Sequence, residues 1–439
     1  MAIATEHAPV VEPVAPSERR LRAVDLAVLW GDLGIGLLVL VTGALLVPGL
    51  GFFPAFGVIV VGSLIGVTLL GLAGAVGARD GLPTMVLFRP ILGVRGSWVP
   101  SALNLAQLVG WTAVELWAMS FVADLVSEQV FGFSARWLWL GVAAAGCTAL
   151  ALWGPVGVTR VWMERFGAWV IGAIAIAVTF LVVTQDGVIE TLTAPGEGGF
   201  PTYGLALDLV IVMPISWLPL VADYNRFARE PRSAFRGTFF GYLVANVWLY
   251  SLGALLVLST GAEASPAGIA GGILALAGGS LAGILFLAGL VAGEADEAFA
   301  DIYSGAMSLG NIWPRVPERT FIVAIAAVST GLAGWLTMER YESFLFLLGS
   351  VFVPLFGVFL AHHYLRPTTR AGAFIGWGLG FLVYHWITPT GPDEWLELVG
   401  SSLGTPLGVT FPWLSASIPS FLVAFGVALG AARIRRSAE

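Results

Sequence analysis

The stretch "GDLGIG" (Gly31–Gly36) interrupts an apolar run that extends from about residue 26 to 50, long enough to cross a bilayer as a helix. Three glycines and an aspartate weaken a helix at a depth where no water can take up the backbone groups they free. "MPISWLPLV" (Met213–Val221) does the same to the run at 204–222, through Pro214 and Pro219. Interrupted spans at corresponding places in two halves of a chain point to a transporter with its site near the midplane. The alternative is that the glycines mark close helix packing alone.

Composition places the whole chain in a membrane. Of its 439 residues 57% are hydrophobic and 11% charged, with a mean hydropathy of +0.88, whereas soluble domains carry about 25% charged residues. Apolar runs fall at about 26–50, 52–77, 98–126, 137–155, 167–184, 204–222, 237–260, 270–308, 319–336, 342–361, 372–388 and 409–431. Twelve spans are therefore expected. The arginines test that number, because cytoplasmic loops are enriched in basic residues. The chain has no lysine, and with the N-terminus inside, only Arg136 and Arg340 of its 21 arginines fall outside. Both termini are then cytoplasmic, and the location expected is the inner membrane.

The expected organisation is a disordered cytoplasmic tail at 1–25, a first repeat at 26–203 and a second, inverted repeat at 204–365. Two further spans at 366–431 and a cytoplasmic tail at 432–439 complete it. Residues 79–98 read as an amphipathic segment at the cytoplasmic interface, and 388–406 as an external connection with a surface helix. The lone Cys147 can form no internal disulfide. The four histidines (His7, His362, His363 and His385) have no metal-binding spacing, and no GxxxxGK[ST] loop is present. These absences argue against an enzyme and against ATP drive.

Two polar constellations remain. Asn104, Gln107, Trp111 and Glu115 share one face of the third span, where a ring to stack on stands beside hydrogen-bonding groups. In the eighth, "GLVAGEADEAFADIYSG" (289–305) places Glu294, Asp296, Glu297 and Asp301 in apolar sequence with no basic partner nearby. One carboxylate at the centre of a span costs about 2.5–3.5 kcal/mol. Four facing lipid would cost about as much as a domain's whole stability, so they must face water, a cation, a substrate or one another. Glu294, Glu297 and Asp301 lie on one face, with Asp296 roughly opposite. If the helix instead ends near 293, the four acids belong to a solvated loop.

The chain resembles the nucleobase:cation symporter-1 family, the purine/cytosine permease type. The carriers are "LPTMVLFRPILGVRGSWVPSALNLAQLVGWTAVE" (82–115), "MPISWLPLVADYNRFAR" (213–229) and "ADIYSGAMSLGNI" (300–312). The wording of SWLPLVADYNRF and GWTAVE is most similar to the hydroxymethylpyrimidine permease branch. The resemblance implies an all-α polytopic fold of twelve helices, a five-plus-five inverted repeat with two extra C-terminal helices, and alternating access. It implies that Trp111 stacks on a flat heterocycle, that Glu115 hydrogen-bonds it where the family commonly has Asn or Gln, and that Trp217 and Asp301 also reach it. Gln107, Asn104, Asp32 and Gly34 complete the expected substrate set.

Sodium-coupled relatives use carbonyls of the first span and hydroxyls of the eighth. From Leu281 to Tyr303 no Ser or Thr occurs, and carboxylates stand there instead. Asp296, Glu294 and Glu297, with Gly31 and Ala292, are the expected coupling residues. Protons are favoured, with Asp296 a sodium ligand in the other case. The function expected is import of an aminopyrimidine such as hydroxymethylpyrimidine or cytosine by a monomer, without cofactor or nucleic acid. The alternatives are a sodium-coupled symporter of a purine, hydantoin or other heterocycle, and less favoured, a channel.

Overall fold

The computed structural model describes residues 11–158, 168–335 and 341–438. The described residues are helical throughout, with no strand beyond an isolated bridge between Leu21 and Ala228. Arg160, Arg165, Arg340 and His7 lie outside them.

The first run is two helices, α1 (Ala23–Asp32) and α2 (Leu37–Ala44), bent by 62° at the expected break. Gly36 begins α2 with an extended backbone, and a Cβ there would overlap the carboxyl oxygens of Glu297 and Glu294. The break needs glycine because two acids approach its backbone. Then follow α3 (Phe52–Asp80), α4 (Trp98–Phe131), α5 (Arg136–Trp153) and α6 (Ala168–Val183). The second expected break is also present: α7 (Tyr203–Ser216) stops after Pro214, and the chain resumes as α8 (Val221–Asn225). Next are α9 (Pro231–Thr260), α10 (Pro266–Leu276), α11 (Leu281–Ile312), α12 (Glu318–Ala333), α13 (Tyr341–Leu360), α14 (Arg370–Ile387) and α15 (Ser417–Ala438).

Two readings change and a third gains detail. The run at 270–308 is not one span but α10 and α11, separated by a turn in which Gly278 and Gly279 take φ +62° and +64°, a backbone that side chains disfavour. Residues 79–98 are amphipathic as expected, with Arg79 and Arg95 exposed, but their apolar side is set into the protein. Their short helices Thr84–Leu87 and Arg89–Leu92 fold inward, with Met85, Phe88 and Ile91 buried and Phe88 packed 5.5 Å from Phe356. The segment 11–25 is not a loose tail: Val14 and Leu21 are buried, and the Val14 N–H donates to Gly81 O (2.9 Å). The surface helix expected in 388–406 is present at Asp393–Leu403.

Among the described residues six helices are long and apolar enough to cross a membrane, and the bent pair α1–α2 makes a seventh candidate. α11 packs against α4 at the centre, α9 against α1, α2 and α3, and α14 and α15 against each other and α13. Asp208 of α7 ties α15 to this core, accepting from Ser415 Oγ (2.6 Å) and the N–H groups of Ala416 (2.7 Å) and Ser417 (2.9 Å). One end of the bundle gathers arginines: Arg19 donates to Ala78 O, Arg89 to Asn311, Arg229 to Arg20 O, and Arg79 contacts His363. The segment around Leu21 and the end of α15 lie at that same end.

Candidate functional site

The two breaks, α4 and α11 meet around one cavity. Its lining is Leu38 and Val39 from α2, Trp111 and Glu115 from α4, Met213, Ser216 and Trp217 at the end of α7, and Glu297 and Asp301 from α11. It is nearly closed, with room for about one water molecule. Four expected substrate residues, Trp111, Glu115, Trp217 and Asp301, thus come together, and Glu297, expected at the cation, joins them. Phe344 packs against Trp111 at 5.2 Å, and Trp30 meets Trp217 edge-on at 6.0 Å.

α11 runs unbroken through all four acids, and all four are buried. The solvated-loop alternative therefore falls. The acids divide by what they meet. Glu294 accepts a short hydrogen bond from the Leu37 N–H at the start of α2, where a helix presents unpaired N–H groups and the positive end of its dipole. Asp296 lies within hydrogen-bond reach of Asp32, at the end of α1. Two like charges about 4 Å apart repel by about 4 kcal/mol in a medium of intermediate dielectric. A proton or cation shared between these carboxyls would relieve that cost. Among the described residues no three His, Cys, Asp or Glu side chains gather as a metal site.

Asn104 and Gln107 sit elsewhere than expected. Gln107 Nε2 donates to Ser216 O (3.1 Å) and Asn104 Oδ1 (2.7 Å), while Asn104 Nδ2 donates to Ser308 Oγ (2.8 Å) and Pro219 O (3.4 Å). They satisfy carbonyls freed by the break between α7 and α8, as buried backbone requires, and neither lines the cavity. Gly34 packs on Ala245 and Tyr242 and Gly31 faces Gly241, both in contact with α9. Ala292 is half-buried in α11 outside the cavity, next to Gly293, which lies near the Ile35 carbonyl.

The sequence reading missed the work done by Asp223–Arg226. Asp223 accepts from the Thr84 N–H (2.9 Å), Tyr224 donates to Ala300 O (2.7 Å), and Asn225 accepts from Trp30 Nε1 (2.9 Å) and donates to Thr238 (2.8 Å). Arg226 donates to Tyr303 OH (2.9 Å). One short helix therefore ties α1, α9, α11 and the 84–92 segment together. The only signal was four polar residues in a row at the end of a span.

Residues 13–371 match the family described as permeases for cytosine/purines, uracil, thiamine and allantoin. The chain belongs to that family. A purine-cytosine permease of Bacillus subtilis is 28% identical over 253 residues, 57% of this chain and 54% of its relative. The match thus spans about half of that protein. The cytosine permease of Escherichia coli K12 is 26% identical over 79% of this chain and 81% of that protein. The fold is that of a nucleobase-cation-symport-1 family transporter solved in a closed conformation with bromovinylhydantoin bound. The TM-score is 0.81 and identity 19%, covering 98% of this chain and 96% of that one. The chain is thus a multi-pass membrane permease of that family.

Proposed function

We propose that this permease imports an aminopyrimidine-like heterocycle, such as cytosine or hydroxymethylpyrimidine, together with a proton, by alternating access. The observation that carries the reading is the cavity between both helix breaks, where Trp111 stands beside Glu115, Glu297 and Asp301. A flat ring would stack on Trp111. Glu115, ionised, accepts hydrogen bonds only and so suits an amine edge. The pair Asp32–Asp296, joining α1 to α11, is the proposed proton site, and Glu294 links the same helix to α2. In this reading twelve spans form a five-plus-five inverted repeat with two appended helices, in a monomer in the inner membrane.

Concentrative uptake of radiolabelled cytosine into cells expressing the chain is expected, and a protonophore should collapse it. Uptake that only equilibrates and ignores the protonophore would favour a channel.

The orientation is a separate prediction. The arginine-rich end is placed in the cytoplasm, with loop 185–203 outside and loop 156–166, mostly beyond the described residues, inside. In a Cys147→Ala background, single cysteines at 185–203 should react with an impermeant maleimide in intact cells. Reaction only after permeabilisation would invert the topology.

A further inference from the structure

We propose that the cavity takes its heterocycle as a flat amidinium-type cation, in which a ring N–H and an exocyclic amine share one positive charge. The inference rests on the importer reading and narrows its substrate class.

The protein supplies donors to some of its other buried acids. Asp208 accepts from Ser415, Ala416 and Ser417, Asp223 from Thr84, and Glu294 from Leu37. Inside the cavity this provision is incomplete. Glu115 (1% exposed) and Glu297 (6%) face it from two different helices, and Glu115 Oε2 and Glu297 Oε1 have no hydrogen-bond partner. Asp301 adds a third carboxyl, and among the described residues the lining contains no Arg or His. The buried guanidinium of Arg226 is taken up by Tyr303, Met307 and the Asp223 carbonyl.

Where these carboxyls are ionised, a neutral dione would set its carbonyl lone pairs against their oxygens. An amidinium edge instead offers two parallel N–H donors with charge, the arrangement a carboxylate accepts best. Trp111 and Trp217 line the cavity, and an indole attracts a flat cation over its ring more than a neutral ring of the same shape. The acids and the indoles thus select for the same property.

Benzamidinium and benzamide test this, because they share a ring and a planar substituent and differ in charge. Both, and cytosine, are titrated calorimetrically into the purified full chain at neutral pH. Benzamidinium is expected to bind about tenfold more tightly than benzamide, or better, the gain typical of hydrogen bonds to charged groups. Glu115→Gln, and independently Glu297→Gln, should shrink that ratio toward one. Trp111→Ala should weaken both ligands. Benzamide binding as well as benzamidinium would overturn the inference. If cytosine still binds in that case, the importer reading stands without it. If none of the three binds to protein with an intact thermal transition, both readings fall.

Discussion

Concentrative uptake by cells carrying Asp296→Asn is expected to fall to the level of cells without the permease. Wild-type uptake should continue in sodium-free medium and rise as the outside is acidified. The sign follows from the gradient: a co-transported proton moves inward more favourably as external pH falls. Asp296 matters because it faces Asp32 across the junction of α11 with the end of α1. An amide there keeps the shape and removes the proton-carrying group. Binding should survive, because Asp296 does not line the cavity. Asp301→Asn, which does, should lose binding and uptake together. This difference separates coupling from recognition. Uptake that is indifferent to pH and requires sodium would make Asp296 a sodium ligand. Wild-type uptake by Asp296→Asn would remove it from coupling altogether.

The sequence made both helix breaks legible, since glycine and proline act locally and the apolar runs set the register of everything between them. It also showed that the acids of α11 needed an interior destination, because a carboxylate at the centre of a span is costly in lipid and its place in the apolar run can be read directly. What it could not give was the division of labour. Glu294, Asp296 and Glu297 lie within one turn, yet one meets the start of α2, one meets Asp32 and one lines the cavity. That sorting depends on a 62° bend in another helix, which no local periodicity encodes. Asn104 and Gln107 show the same limit. Their spacing places them on the face of Trp111, but the break in α7 brings unpaired carbonyls close enough to claim their amides. The segment 79–98 is legible as amphipathic from its mixture of arginines and apolar residues, but the sequence does not show that its apolar side chains fill the core beside α8 and α13.

Gly253→Val is expected to give protein that is poorly recovered from membranes and unfolds at a much lower temperature, with Gly253→Ala intermediate. A Cβ at Gly253 would stand 2.7 Å from the Leu40 carbonyl carbon and 2.9 Å from its Cα, and closer still to the oxygen. These are backbone atoms of α2 and cannot rotate away, so α2 and α9 must separate. Overpacking of this kind costs about 1–3 kcal/mol or more, and the alternative of lifting α2 removes Leu37 from Glu294 and Leu38 and Val39 from the cavity. Gly57→Ala is the control: it lies in α3 with nothing within 4 Å of its Cβ position. There alanine gains helix propensity, about 1 kcal/mol, without a clash. The measurement is the thermal midpoint of the three purified variants in one detergent, with cytosine binding on each. The order expected is Gly57→Ala at or above the natural protein, then Gly253→Ala, then Gly253→Val, with cytosine affinity falling in the Gly253 pair alone. Equal midpoints for Gly253→Val and Gly57→Ala would mean that α2 does not rest on α9, and the position of the first break, on which the cavity depends, would need to be redrawn.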